Sequence, residues 1–415
     1  MCGLLAVSAL GAFSRAASAE ALLLIQADDG KVLRAENATY PWYPASVTKL
    51  MTTYVTLQAI KAKRISLDTL FTVSANAVAQ QPSKMGFPLG TQVTVDNALK
   101  MMMVKSANDM AVVLAEGVSG SIDKFADEMN ATARRLGMTQ TNYVNPNGLP
   151  DDRQITSARD LAILSRALMH DFPEYDLYWH IPAIKFGKRI FRNINPLIDR
   201  FPGADGMKTG FICAAGFNLV ASATRDGKRL IAVVLGAPSA AARAIKAAQL
   251  LEQGFESSPL SWLTPSLGTV ENLQPIDATP PDLHDQVCGK HRKKPASEDE
   301  DVAGKSDSDS PQAFMLSSLR GGKQFSLSDP LIPSMPPIVV HTGPARPADT
   351  QTASIPDVRA KKTAQPGQIA PASGSAAFNG LLPWPGSANA AAATSDPVPV
   401  PRPRPRIARS KPAKQ

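Results

Sequence analysis

Three short strings, in one order, bring together the residue types that acyl transfer to a hydroxyl requires: Ser46-Val47-Thr48-Lys49, Ser106-Ala107-Asn108 and Lys208-Thr209-Gly210. They supply a nucleophilic hydroxyl, an amine three residues on, a second hydroxyl with an amide, and a cation beside a glycine. That chemistry needs no histidine. Ser-x-x-Lys serves it only on a helix, where residues three apart project from one face. Pro44 stands just ahead, and residues 47–59 are apolar-rich without glycine or proline, which predicts a helix with Ser46 in its first turn. Unpaired N–H groups and the helix dipole there favour a developing negative charge. A free lysine is protonated at neutral pH. Burial and a neighbouring cation both lower its pKa, and Lys208 is expected to supply that cation.

Taken singly, the strings are weak. Ser121-Ile122-Asp123-Lys124 is a second Ser-x-x-Lys, read as an N-cap followed by a solvated lysine, and Ser74-Ala75-Asn76 repeats the second string. Lys-Thr-Gly occurs once. The ordered triple, with 60 residues between the serines and 102 more to Lys208, carries the weight.

The elements that must position these strings follow from periodicity. Residues 21–27 and 31–35 flank Asp28-Asp29-Gly30, a hairpin signal, and 217–224 and 229–236 flank Asp226-Gly227, a second one. Residues 96–117 read as helix with a break at Ser106, 122–136 as another helix, and 240–253 as a closing helix ending at Gly254. Strands at both ends with helices between predict an α+β fold: one antiparallel sheet flanked by helices, plus a helical subdomain, with the site in the groove between them.

From about Ala21 to Phe255 the chain resembles the low-molecular-mass penicillin-binding proteins that act as serine-type D-alanyl-D-alanine carboxypeptidases. The three strings carry the resemblance together with Pro82-Ser83-Lys84-Met85-Gly86, Asn145-Pro146-Asn147-Gly148-Leu149-Pro150, Gly203-Ala204-Asp205-Gly206-Met207 and Ala215-Gly216-Phe217-Asn218-Leu219. It implies the fold of serine β-lactamases and penicillin-binding proteins. It implies that Ser46 attacks the carbonyl between the last two D-alanines of a peptidoglycan stem peptide and that Lys49 takes its proton. Ser106 would relay that proton to the departing amine, while Asn108 holds the peptide and Lys49. Lys208 and Thr209 would bind the terminal carboxylate, and Gly210 would let the substrate lie against a strand edge. The oxyanion would rest on the N–H groups of Ser46 and Phe211, donors worth about 3 kcal/mol each in the barrier. β-Lactam antibiotics, mimics of the dipeptide, would acylate Ser46. Two departures stand out: Ile212 replaces the hydroxyl residue usual two places after the glycine, and Cys213 beside the cleft reads as a small buried residue.

The rest of the chain differs in kind. Of 35 prolines, 24 fall after residue 255. The stretch contains the acidic run at 298–301, an alanine run at 390–393 and Pro401-Arg402-Pro403-Arg404-Pro405-Arg406. Hydrophobic periodicity almost vanishes, so residues 20–255 are expected to fold as the transpeptidase-like catalytic domain and 256–415 to form a disordered tail. Of the net charge of +8, six charges come from the last 14 residues. That basic end reads either as a solvated solubility device or as an electrostatic tether to an anionic membrane or cell-wall surface. Nucleic acid is not an expected partner of an exported enzyme. The family's C-terminal amphipathic anchor helix is not legible in this stretch.

Residues 1–19 read as an export signal, with an apolar stretch at 4–13 and Ala17-Ser18-Ala19 before the cut, although no Lys or Arg precedes the apolar core. The mature chain is therefore expected outside the cytoplasm, periplasmic and at most peripheral to the membrane. Cys213 and Cys288 show no framework spacing, and a pairing between them stays open. The five histidines show no metal spacing, so neither metal nor cofactor is expected. Three rivals use the same parts: a D,D-endopeptidase cutting crosslinks, a β-lactamase, and a non-catalytic wall-binding protein. The β-lactamase reading wants a water-activating glutamate, and residues 139–153 offer only Asp151 and Asp152.

Overall fold

Asp29 and Gly30 reverse the chain between β1 (Ala21–Gln26) and β2 (Val32–Glu36): the Asp29 carboxylate accepts the Lys31 N–H at 2.9 Å, and Gly30 takes φ +71°. In this computed structural model, residues 20–256, 266–290, 325–327 and 333–344 are described. The expected export signal, the acidic and alanine runs and the Pro-Arg end lie outside them.

A short 3-10 turn, Ala45–Thr48, runs into α1 (Lys49–Lys61). Then follow β3 (Leu70–Thr72), α2 (Ala75–Val78), β4 (Gln92–Thr94), α3 (Val95–Lys105), α4 (Asn108–Ser119), α5 (Ile122–Leu136) and α6 (Ala158–Asp171). The chain continues through β5 (Ala183–Phe186), β6 (Arg189–Arg192), β7 (Ala204–Ile212), β8 (Gly216–Arg225), β9 (Lys228–Ala237) and α7 (Ala240–Phe255). Beyond these lie α8 (His284–Cys288) and β10 (Ile338–Val340).

The main sheet is antiparallel in the order β2-β1-β9-β8-β7. β9 is buried at eight successive residues instead of alternating, which requires cover on both faces. α6 and α7 both touch it and supply that cover. The helical subdomain is built round α1, whose residues from Lys49 to Leu57 are all buried, the pattern of a helix with neighbours on every side. The two hairpins, the break at Ser106 and the helices at 122–136 and 240–253 stand where the sequence places them, and the α+β architecture is the expected one. Ser121 caps α5 by accepting the Lys124 N–H at 3.2 Å, and Lys124 is exposed, the ordinary helix start expected there.

The boundary at residue 255 needs correction. Residues 266–290 cross the domain: Val32 donates to the Gly268 carbonyl at 2.9 Å, Val270 to that of Gly30 at 2.9 Å, and Leu283 to that of Ala214 at 2.9 Å. Val270, Leu283 and Val287 are buried. Cys288 closes the crossing with a disulfide to Cys213, Cα atoms 5.6 Å apart. The pairing that the sequence leaves open is thus made, and Cys213 is half-buried and disulfide-bonded instead of the small buried residue expected there. Further on, β10 adds to β5 in parallel, and Gly343 donates to the Gln92 carbonyl at 2.7 Å. The expectation of a wholly unstructured tail does not hold for these residues. Isolated apolar anchors, backbone hydrogen bonds to distant segments and one covalent bond hold them, and none of these leaves a periodic trace. Among the described residues no helix is long and apolar enough to cross a membrane.

Candidate active site

Ala45 takes φ +50°, the left-handed region that a non-glycine residue rarely occupies, and from that bend the 3-10 turn carries Ser46 into the groove between subdomain and sheet. Lys49, the first residue of α1, follows one turn later and is fully buried. Its Nζ lies 2.9 Å from Ser46 Oγ, 2.7 Å from Asn108 Oδ1 and 2.8 Å from the Asn147 carbonyl. Two of these partners only accept, whereas the Ser46 hydroxyl can also donate. The two carbonyls thus anchor the amine one hydrogen bond from the Ser46 hydroxyl, where an unprotonated Lys49 would take the Ser46 proton. Geometry of that kind activates a serine without imidazole.

Ser106 occupies the break between α3 and α4 at φ +59°. The left-handed residue lets one helix end and the next begin at once, so Ser106 and Asn108 both reach the groove. Asn108 Nδ2 donates to the Gln81 carbonyl at 2.9 Å and its backbone N–H to Ser83 at 2.8 Å, which orients its Oδ1 on Lys49. From β7, Lys208 Nζ donates to Ser106 Oγ at 2.9 Å and to the Thr209 carbonyl at 2.9 Å. Lys208, Thr209, Ser106 and Asn108 are all nearly closed to solvent. Phe211 is half-buried, its ring stacked on Phe217 with centroids 4.3 Å apart.

Close approach fixes the groove. A Cβ on Gly210 would stand 2.9 Å from the Ser46 and Val47 nitrogens and 3.0 Å from the Pro44 carbonyl, so only glycine lets β7 lie this near the turn. Asn218, opposite Gly210 on β8, donates to the Tyr43 and Pro44 carbonyls at 2.9 and 3.2 Å. Buried Arg243 of α7 reaches the Gly210 and Asn218 carbonyls at 3.3 Å each. On the other side, a Cβ on Gly148 would fall 1.8 Å from the Ala45 carbonyl oxygen. The loop there is locked by Gln154, which accepts from the Val144 N–H at 2.6 Å and donates to Thr48 Oγ1 at 3.1 Å.

The structure thus brings the sequence-predicted residues into one groove, joined as Ser46–Lys49–Asn108 and Ser106–Lys208, with Gly210 against the Ser46 backbone. Sequence reasoning passed over four supports: the Asn147 carbonyl, Gln154, Asn218 and Arg243. The polar string at 145–150 signals a tight loop and so points to Asn147. Asn218 lies in one of the strings that carry the resemblance, but its role and that of Arg243 have no local sign, because their partners are backbone atoms far away in sequence.

A family profile described as D-alanyl-D-alanine carboxypeptidase (Peptidase S11) matches residues 8–239. D-alanyl-D-alanine carboxypeptidase DacA of Haemophilus influenzae is 38% identical over 243 residues, 57% of this chain and 62% of that protein. DacC of Escherichia coli is 40% identical over 244 residues, 57% and 61%. The chain therefore spans about three-fifths of the length of these curated relatives. Penicillin binding protein 5 from Haemophilus influenzae superposes with a TM-score of 0.56 at 38% identity, covering 57% of this chain and 71% of that one. Penicillin-binding protein D2 from Listeria monocytogenes, solved in an ampicillin-bound form, does so at 0.50 and 30% identity, covering 57% and 96%. The groove, its three strings and the sheet beneath them all lie inside the matched span, and the chain belongs to the D-alanyl-D-alanine carboxypeptidase family of serine peptidases, Peptidase S11.

Proposed function

We propose that the chain is a penicillin-sensitive D-alanyl-D-alanine carboxypeptidase that removes the terminal D-alanine from peptidoglycan pentapeptides through an acyl-enzyme on Ser46. The observation that carries this reading is the Lys49 amine set on the Ser46 hydroxyl by two carbonyl acceptors. Lys49 takes the hydroxyl proton as Ser46 Oγ forms its ester with the penultimate D-alanine. The C–N bond to the last D-alanine breaks, and the leaving amine collects a proton through Ser106, which Lys208 holds by a hydrogen bond. Lys208 and Thr209 bind the terminal carboxylate, Asn108 the peptide amide, and the N–H groups of Ser46 and Phe211 the oxyanion. Water then hydrolyses the ester, releasing the shortened peptide and restoring Ser46.

β-Lactams would inhibit by the same acylation, a reading supported by the ampicillin-bound relative. Loss of residues 1–19 on export fits the Cys213–Cys288 bond, since disulfides persist in oxidising compartments. The basic end at 402–414 would add a tether to an anionic surface.

Labelling with a fluorescent penicillin tests the nucleophile: Ser46→Ala abolishes it, and surviving label means another nucleophile. Incubation with a pentapeptide and with crosslinked dimers tests the substrate. Free D-alanine is expected, and release of monomers alone would make the protein an endopeptidase instead.

A further inference from the structure

Beside the groove, the β5–β6 hairpin carries a surface that the proposed reaction does not use. Between Ala183 and Arg200 stand Lys185, Lys188, Arg189, Arg192 and Arg200 against a single acid, Asp199. That acid is engaged elsewhere, accepting the Ser334 N–H at 2.7 Å. Lys185, Lys188, Arg189 and Arg192 are all exposed, and none of them takes part in an ion pair among the described residues. Burial and the charge of Arg192 both push the Arg200 pKa down, with Asp199 opposing, so the cluster repels itself.

Strand register decides what this surface presents. Lys185 pairs with Ile190 on β6 and with Val339 on β10, so the three side chains form one row across the small sheet. Their neighbours in sequence turn inward: Ile184, Ile338 and Val340 are buried, and Lys105 lies over the Phe191 ring at 5.1 Å. The outward row leaves Ile190 54% and Val339 55% exposed on either side of the lysine. A hydrated polyanion would engage the cations but gain nothing from two bare aliphatic side chains. A lipid headgroup layer engages both, because its phosphates pair with cations while the acyl boundary takes apolar groups.

We propose that the outer face of the β5–β6–β10 sheet docks on an anionic phospholipid bilayer, with Ile190 and Val339 entering the headgroup boundary and Lys185 and Arg192 of the same face, with Lys188 in the turn between the strands, on lipid phosphates. Docking there would set the height of the groove above the membrane, since Lys105 beneath the hairpin immediately precedes Ser106.

The test is co-sedimentation of the full-length protein with phosphatidylcholine vesicles with and without phosphatidylglycerol, and with purified peptidoglycan. Each cation on a headgroup layer is worth about five-fold in affinity, so Lys185→Gln/Arg192→Gln weakens binding to the anionic vesicles about 25-fold. Ile190→Ser weakens it roughly five-fold in high salt, where the charges are screened and insertion remains. Both variants keep penicillin labelling at Ser46, which certifies the fold. The basic end of the chain is present in every sample and cancels from the comparison. Equal affinity of parent and both variants overturns the proposal. So does a charge effect without an Ile190 effect, or a loss confined to peptidoglycan, either of which would make the partner a soluble polyanion. Equal binding to zwitterionic vesicles overturns it as well.

Discussion

Removing the Cys213–Cys288 bond with the double variant Cys213→Ala/Cys288→Ala asks how far the stability of the domain depends on the segment after residue 255. The bond closes a loop of 75 residues. The chain-entropy relation for such a loop gives about 4.5 kcal/mol at 25 °C, and disulfides of this kind typically deliver about 2–4 kcal/mol. What remains without the bond is the burial of Val270, Leu283 and Val287 and the backbone contacts to Gly30, Val32 and Ala214. For a folded unit of this size the expected loss lowers Tm by roughly 5–15 °C. Near-UV circular dichroism of oxidised protein, reduced protein and the double variant measures it, and the last two should coincide. Below the lowered Tm, penicillin acylation should stay within about two-fold of the parent, because β7 is held by its own ladder to β8 and by Arg243. A stability loss under about 1 kcal/mol would refute the loop-closure reasoning. A more than tenfold fall in acylation with the fold intact would show that the bond positions Lys208, and that the β8 ladder and Arg243 do not suffice to hold β7.

Lys49→Ala, with the fold kept, should lower penicillin acylation by roughly 10³-fold, measured by stopped-flow quenching; a change under tenfold would remove Lys49 as the base. Gly210→Ala pushes the 3-10 turn away from β7 by a few tenths of an ångström or more, and acylation should fall about 100-fold while near-UV ellipticity is retained. Burial pushes the Asp176 carboxyl up, but its hydrogen bond with His180 and the charge of Arg229 outweigh that and hold its pKa below the ordinary carboxylate value. A depressed carboxylate stabilises above its unfolded pKa of about 3.9 and loses that contribution as pH falls through the folded value. Asp176→Asn should therefore cost about 1–3 kcal/mol by urea titration at pH 7, and the difference should shrink as the pH falls below the ordinary carboxylate value and through the lower folded one. Truncation after residue 256 should yield a chain of markedly lower Tm by calorimetry, since Val270, Leu283 and Val287 leave their sites.

Local chemistry made much of this protein legible. Ser46, Lys49, Ser106, Asn108, Lys208 and Gly210 lie in strings whose spacing is itself the geometric requirement: three residues along a helical turn, two across a helix break, two along a strand. The hairpins at Asp28-Asp29-Gly30 and Asp226-Gly227 and the helix at 122–136 follow from turn chemistry and apolar period, which act within a few residues. What the chain alone could not yield depends on contacts between distant segments. Cys213 meets Cys288 only because residues 266–290 cross from the Gly30 turn to the end of β7, and neither cysteine has a local sign of the other. The segment at 338–340 becomes a strand because β5 offers an open edge, not because three residues prefer to be extended. The third partner of Lys49 is the carbonyl of Asn147, a backbone atom that every residue type carries. Residue types and spacing therefore determined which groups react, whereas tertiary structure decided what surrounds them, because backbone acceptors, crossing segments and sheet edges belong to no single stretch of sequence.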